Sequence, residues 1–321
     1  MSDSLPSLLA ALRSSMAIAH KSDIQHIARA LQGAWRADHQ HPNGDDCAVL
    51  DEAQGYSLLA MEGFINQFVQ HDPWFAGWCG VMVNLSDIAA MGGRAQAIVN
   101  AIWSANDDKA RQLLSGMTAA SQAYQVPIVG GHTNLRSEQQ QLAVAVLGKA
   151  KRVLSSFNAR SGLVLIAAID LRGRWRKPGF NWDAATAAEP VQLRQAMEIL
   201  PMLADRELAV AAKDISQAGL LGTLLMMLES GRSGADIDLL SIPKPTDCAW
   251  LEWLQAFPSF GYLLAVEPAH VSTVLNAFHA CEIAAAQIGQ LNNSKQLYVT
   301  QSQERACFWD LNDRPLTGMG H

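Results

Sequence analysis

The sequence predicts two domains that each mix helices with strands, and three observations carry that reading. The chain has 321 residues, room for about two domains at ~100–200 residues apiece. Hydrophobic residues make up 49% and charged residues 17%, so a sizeable core can be buried and disorder is disfavoured. Strand-like and helix-like patterns alternate as far as about residue 150 and then start again. The boundary falls between 150 and 160, which gives domains at 1–153 and 154–321.

Residues 5–35 carry apolar side chains at three- and four-residue steps (Leu5, Leu8, Leu9, Leu12, Met16) and read as helical. The stretch 36–46, RADHQHPNGDD, is a polar break rich in turn formers. Two short strands at 47–50 and 56–61 flank DEAQG and read as a hairpin or meander. Residues 75–91 form a strongly apolar helix closed by Gly92-Gly93. A strand at 94–103 leads to a helix at 106–124, with Asn106 as N-cap and Asp107 and Asp108 in its first turn. Strands at 126–129 and 142–149 complete the first half. In the second half a β run covers 163–169, and 190–212 and 217–231 read as helices. Strands follow at 262–266, 283–288 and 296–299. Residues 172–188 are polar, basic and aromatic, and read as a long loop of the kind that is often functional. Arg172, Arg174, Trp175, Arg176 and Lys177 make it a candidate cover for an anionic substrate, and equally a plain basic loop.

Composition also excludes classes. The net charge of -6 leaves no basic face for nucleic acid, while an anionic substrate stays possible through a bound metal ion. The five cysteines are scattered without a CxxC pair, as expected of reduced thiols in a cytoplasmic protein. The N-terminus is amphipathic rather than signal-like, and no apolar run reaches the ~18 residues of a membrane span.

Several places set polar groups against this apolar background. Gly44-Asp45-Asp46 puts adjacent carboxylates in a turn, where they bind a hard cation or simply stabilise the turn. Glu62 stands at the end of a strand. Asn84 and Asp87 lie one turn apart on an otherwise apolar helix, so Asp87 needs a cation, a metal ion or hydrogen-bond donors. Gly130-Gly131-His132-Thr133 follows a strand and offers close backbone approach to a phosphate. Asp214 precedes a helix for which Ser216 is a candidate N-cap. The chain contains no GxSxG, HExxH or GxxxxGK[ST], so any handling of ATP is not through a Walker loop.

Taken in order, these segments resemble the aminoimidazole ribonucleotide (AIR) synthase superfamily. GDDCAVL at 44–50 is similar to its GDDAAVL, and AMEGF at 60–64 to its TTDSF-type segment with Glu62 in place of Asp. NLSDIAAMGG at 84–93 is the most specific piece and resembles thiamine-monophosphate kinases. VGGHTN at 129–134 resembles their GGDT and the GGHS of selenophosphate synthetases. The stretch 146–168 resembles the joint between the two domains, and KDISQAGLLGTL at 213–224 resembles DISDGLL. The resemblance covers about residues 40–300.

That resemblance implies two α+β domains, a homodimer formed through the N-terminal domains, and ATP with Mg2+ as cofactors. It implies Asp45, Asp46 and Asp87 as metal ligands, with Glu62 and Asp214 behind them, and Asp87 and Asp214 as central to catalysis. Asn84, Gly130, Gly131, His132 and Thr133 would face the nucleotide, and Lys21 would be a mobile lysine for its phosphates. The expected activity is ATP- and Mg2+-dependent phosphoryl transfer or synthesis on a small-molecule acceptor. The alternatives are thiamine-monophosphate kinase and a catalytically degenerate nucleotide-binding regulator. Gln217 stands where DISDG has its second acid, and 258–261 reads PSFG where the kinases have GGED. Both departures count against thiamine recognition. No cysteine precedes Cys47, which counts against selenophosphate chemistry.

Overall fold

The computed structural model describes residues 4–35 and 41–319 and divides into two compact units, both α+β. One comprises Asp46–Val153 and Ala185–Asp205; the other comprises Met1–Asp45, Leu154–Ala184 and Arg206–His321. Part of the expected turn-rich break, 36–40, lies outside the described residues.

The first unit is built on five strands, β1 (Ala48–Asp51), β2 (Tyr56–Gly63), β3 (Arg94–Trp103), β4 (Ile128–Asn134) and β5 (Gln141–Ala150), in the order β1-β2-β5-β3-β4. Only the β3–β4 pair is parallel. Strand β5 shows why the sheet has two unlike faces: Leu142, Val144, Val146, Gly148 and Ala150 are buried, and the residues between them are not. The helix Pro73–Ala90 covers the buried face. Pro73 opens it at N1, and Asp72 caps it by accepting the Phe75 N–H at 3.2 Å. It is buried from Phe75 to Ala90 because a second helix, Asp107–Tyr124, lies on its other side. As expected, Asn106 caps that second helix, accepting from the Lys109 N–H at 3.0 Å.

Two glycines let these helices close on each other. A Cβ on Gly77 would stand 2.0 Å from the Leu113 carbonyl oxygen, and one on Gly116 would stand 1.8 Å from that of Trp74. The short helices Pro190–Met197 and Ile199–Asp205 pack on the same pair. Arg194 donates to the Ala123 carbonyl at 2.7 Å, and Arg94 pairs with Glu198 and with Asp205 at 3.0 Å. Residues 185–205 therefore depart from the sequence division at 153 and pack with the first half of the chain.

The second unit holds β6 (Val164–Ile169), β7 (Arg174–Arg176), β8 (Asn181–Asp183), β9 (Ala211–Asp214), β10 (Gly234–Asp238), β11 (Phe257–Pro258), β12 (Gly261–Val266), β13 (Ala284–Asn292), β14 (Gln296–Gln301) and β15 (Glu304–Asp310). Seven strands form one sheet in the order β15-β14-β10-β13-β6-β12-β9, and the other three form a small sheet, β11-β8-β7. Strands β6 and β12 are buried at every residue, which matches their uninterrupted apolar sequences and requires cover on both faces. The helix Gly219–Ser230 supplies apolar side chains to the core, and so does the N-terminal helix Leu5–Arg13. Leu5, Leu8, Leu9 and Leu12 join the cluster that contains Leu297, Val299 and Phe308, and Arg13 donates to the Cys307 carbonyl at 2.9 Å. The N-terminal helices, expected in the first domain, thus pack with the second half because their apolar stripe is buried there.

Three local expectations are corrected. Ala211 and Ala212 open the strand β9 rather than ending a helix, because the pairing of β9 with β12 outweighs local helix preference. GGHTN lies inside β4 rather than after a strand. Residues 172–188 contain β7 and β8 and are anchored: Trp175, Trp182 and Trp253 meet edge-to-face with centroids 5.3–6.1 Å apart. Arg172 pairs with Asp170 and Glu282, Arg176 with Asp183, and Lys177 with Glu252, so these three charges are answered within the unit. Among the described residues, no helix is long and apolar enough to cross a membrane.

The glycine crossing makes a direct prediction. Gly116→Ala forces a methyl group against backbone and is expected to lower the unfolding free energy by about 1–3 kcal/mol. Urea denaturation followed by circular dichroism measures it, and an unchanged midpoint would contradict the crossing geometry.

Candidate functional site

The helix Pro73–Ala90 brings Asn84 and Asp87 into an interior that is otherwise apolar. Asn84 is fully buried, and its Nδ2 donates to the Gly80 carbonyl at 2.8 Å. That bond fixes which end of the amide is oxygen, and Asn84 Oδ1 has no hydrogen-bond partner among the described residues. A carbonyl oxygen withdrawn from water and left unpaired costs about 1–3 kcal/mol, so the position favours a ligand that accepts its lone pair. Asp87 follows one turn later, on the same side of the helix, and is also buried.

Asp46 comes to this place from the turn before β1, and the Asp46 and Asp87 carboxylate oxygens lie within 4.8 Å of each other. Two carboxylates so close repel unless a proton or a cation intervenes. Two oxygens bound to one Mg2+ at about 2.1 Å each are at most ~4.2 Å apart, so the observed pair fits a shared hard cation with little adjustment. All-oxygen donors are also the set that Mg2+ prefers over softer metals.

Asp45 is not part of that arrangement. Its Oδ2 accepts from the Ser155 hydroxyl at 2.7 Å and the Ser156 N–H at 2.8 Å, while its Oδ1 accepts from the Ser156 hydroxyl at 2.8 Å. The buried ammonium of Lys213 stands 3.6 Å from Oδ1. The metal role expected for Asp45 is therefore corrected to a structural one, since hydrogen bonds and a cation within its own unit already engage both oxygens. The signal was absent from local sequence, because the partners lie more than a hundred positions downstream.

The other expected site residues sit on several different elements. Glu62 is half-buried near the end of β2, opposite Val144, and is not among the carboxylates gathered with Asp46 and Asp87. Gly130, Gly131, His132 and Thr133 are exposed along the edge strand β4. The need for glycine at 131 has a local cause: a Cβ there would meet the Asn100 backbone and side-chain oxygens at 2.5 Å. The His132 ring lies 5.8 Å from that of Trp103. Asp214 is buried at the end of β9, opposite Tyr262 of β12. Ser216 does not cap the following helix: Ala218 holds the cap position, and the Ser216 N–H donates to Thr223 Oγ1 at 3.1 Å. Lys21 is half-buried in the helix Met16–Ser22.

Comparison with known proteins agrees with this architecture. The family model for AIR synthase related protein, N-terminal domain, matches residues 44–150, and that for the C-terminal domain matches residues 153–302. An uncharacterized protein of Synechocystis sp. is 44% identical over 316 residues, covering 98% of each chain. Thiamine-monophosphate kinase of Synechococcus elongatus is 28% identical over 228 residues, 63% of this chain and 69% of that one. Among solved structures, T. maritima PurL complexed with ATP superposes with a TM-score of 0.71 at 16% identity, over 86% of this chain and 47% of that chain. AaThiL complexed with AMPPCP and TMP gives 0.65 at 16% identity, over 88% and 94%. These structural likenesses are of fold, and this chain spans about half the length of the PurL chains.

The clamp on Asp45 predicts a stability effect. Asp45→Ala leaves the buried Lys213 without this carboxylate and is expected to cost about 3–5 kcal/mol of unfolding free energy, measured by urea denaturation. Adding Lys213→Met should recover part of that loss; a wild-type midpoint for the single variant would refute the clamp.

Proposed function

Because the chain belongs to the AIR synthase related family, we propose that it is an ATP- and Mg2+-dependent enzyme. It transfers a phosphoryl group to a small-molecule acceptor, or uses ATP to activate an oxygen of it. The observation that carries this reading is the approach of the Asp46 and Asp87 carboxylates within 4.8 Å, together with the unpartnered Asn84 Oδ1 on the same helix. Asp46 and Asp87 would hold the cation. Bound Mg2+ neutralises charge on the phosphate oxygens, which phosphoryl transfer requires more than it requires a protein nucleophile. Asn84 Oδ1, on the same helix as Asp87, would offer a further neutral oxygen donor. The exposed backbone of Gly130–Thr133 would line the nucleotide.

A second reading, thiamine-monophosphate kinase, is supported by the Synechococcus elongatus relative and by NLSDIAAMGG. Gln217 and the PSFG segment weigh against it.

The outer face of the five-stranded sheet supports self-association in the same proposal. Leu59 and Met61 of β2 are 47% and 67% exposed, and Val99 of β3 and Leu147 of β5 are 42% and 41% exposed. The pairing of Leu59 with Leu147, and of Met61 and Val99 with Ala145, puts all four on one face. A contiguous apolar face of this kind closes against a second copy of the chain, sheet on sheet, in a homodimer.

Two measurements test these statements. In 31P NMR with Mg-ATP, with and without thiamine monophosphate, the wild type is expected to consume ATP. Asp87→Asn should do so about 10²–10³-fold more slowly at unchanged thermal stability. Turnover that survives this substitution refutes the metal assignment, and formation of thiamine diphosphate establishes the second reading. In sedimentation velocity the wild type should run at twice the chain mass and Met61→Lys with Leu59→Lys as a monomer. A monomeric wild type refutes the dimer.

A further inference from the structure

Glu229 sits in the last turn of the helix Gly219–Ser230, only 4% exposed. A carboxylate is disfavoured at this end of a helix, where the unpaired carbonyls concentrate negative charge. The C-terminal segment answers it. Glu229 Oε1 accepts the N–H groups of Leu316 at 2.9 Å and Gly318 at 3.1 Å. Oε2 accepts the Thr317 N–H at 2.8 Å and its hydroxyl at 2.5 Å. Four donors on one buried carboxylate are a strong, geometry-specific fastening. Gln25 adds another from the opposite chain end, donating to the Leu316 carbonyl at 2.9 Å.

The fastened segment ends on the turn that leads to Asp46. The Thr317 hydroxyl accepts the Met319 N–H at 3.3 Å, and the Met319 side chain lies over Gly44. A Cβ on Gly44 would stand 2.5 Å from Met319 Cβ, and Gly44 has φ +121°, a value that other residues rarely adopt. The turn is therefore held twice: Asp45 is gripped by Ser155, Ser156 and Lys213, and Gly44 is covered by Met319. Residues 316–319 lie beyond residue 302, where the C-terminal family model ends.

We propose that Glu229 and the segment Leu316–Met319 are a positioning device that fixes the Gly44–Asp45 turn and thereby aims the Asp46 carboxylate. The proposal rests on the reading of Asp46 as a metal ligand. Met319 and Glu229 are positioning residues that act through the turn. Losing such support for a metal-binding carboxylate weakens metal binding by about 10–100-fold.

The test uses the full chain in three forms, wild type, Met319→Gly and Glu229→Gln. Two readouts are taken, hydrogen exchange of peptides spanning 43–49 and Mn2+ affinity by electron paramagnetic resonance. Met319→Gly should accelerate exchange at 44–47 by about tenfold or more and weaken Mn2+ binding about tenfold, at a wild-type urea midpoint. Glu229→Gln keeps the shape but weakens the clamp and should shift both readouts the same way; if it lowers stability, Met319→Gly alone decides. Faster exchange confined to 316–319, with 44–47 unchanged, overturns the proposal. A wild type that binds no Mn2+ overturns the metal reading instead, and exchange at 44–47 still decides whether the segment positions the turn.

Discussion

Burying Asn84 and Asp87 inside a helix that is apolar nearly throughout is the constraint around which the first unit is arranged. A carboxylate in such a place needs a compensating charge or donors, and an amide oxygen there needs a partner. The unit meets the steric side of this demand with two glycines. Gly77 and Gly116 let the helices Pro73–Ala90 and Asp107–Tyr124 close to backbone contact, so the second helix covers the side of the Asp87-bearing helix away from the sheet. The electrostatic side is sharpened from the turn before β1, where Asp46 brings a second carboxylate within 4.8 Å of the first. The pair makes chemical sense as a cation site, since two adjacent negative charges in a low-dielectric setting are stabilised by what lies between them.

The second unit solves a different problem. Its central strands β6 and β12 have no polar face, so the sheet has to be covered on both sides. The N-terminal helix Leu5–Arg13 contributes to that cover, which is why residues far apart in sequence fold together. The same unit grips Asp45 with two serines and a buried lysine, and fastens residues 316–319 through Glu229. Neighbouring aspartates thus have opposite tasks. Asp45 is engaged by its own unit as structure, and Asp46 stands beside Asp87.

Much of the fold was legible because local pattern and tertiary demand agree. The hairpin at 47–61, the long apolar helix, its neighbour capped by Asn106 and the strand at 94–103 all appear where periodicity and capping place them. The misses share one cause. Residues 211–214 pair with β12, and GGHTN pairs along β3; both are pairings across the chain that outweigh local turn or helix signals. The basic stretch 172–177 reads in sequence as a candidate cover or a plain basic loop, but acids that hold it, Glu252 and Glu282 among them, lie about 75 and 110 positions away.

By itself the sequence determined the family, the helix that carries Asn84 and Asp87, and the need for a partner at Asp87. Each follows from short-range order: a specific motif, a 3.6-residue period and the cost of burying charge. Only the tertiary structure decided which aspartate of Asp45–Asp46 faces Asp87, where the N-terminal helices and residues 185–205 pack, and what Glu229 holds. These depend on contacts between distant segments, which pattern within a window of residues cannot encode because the partners are chosen by packing rather than by spacing.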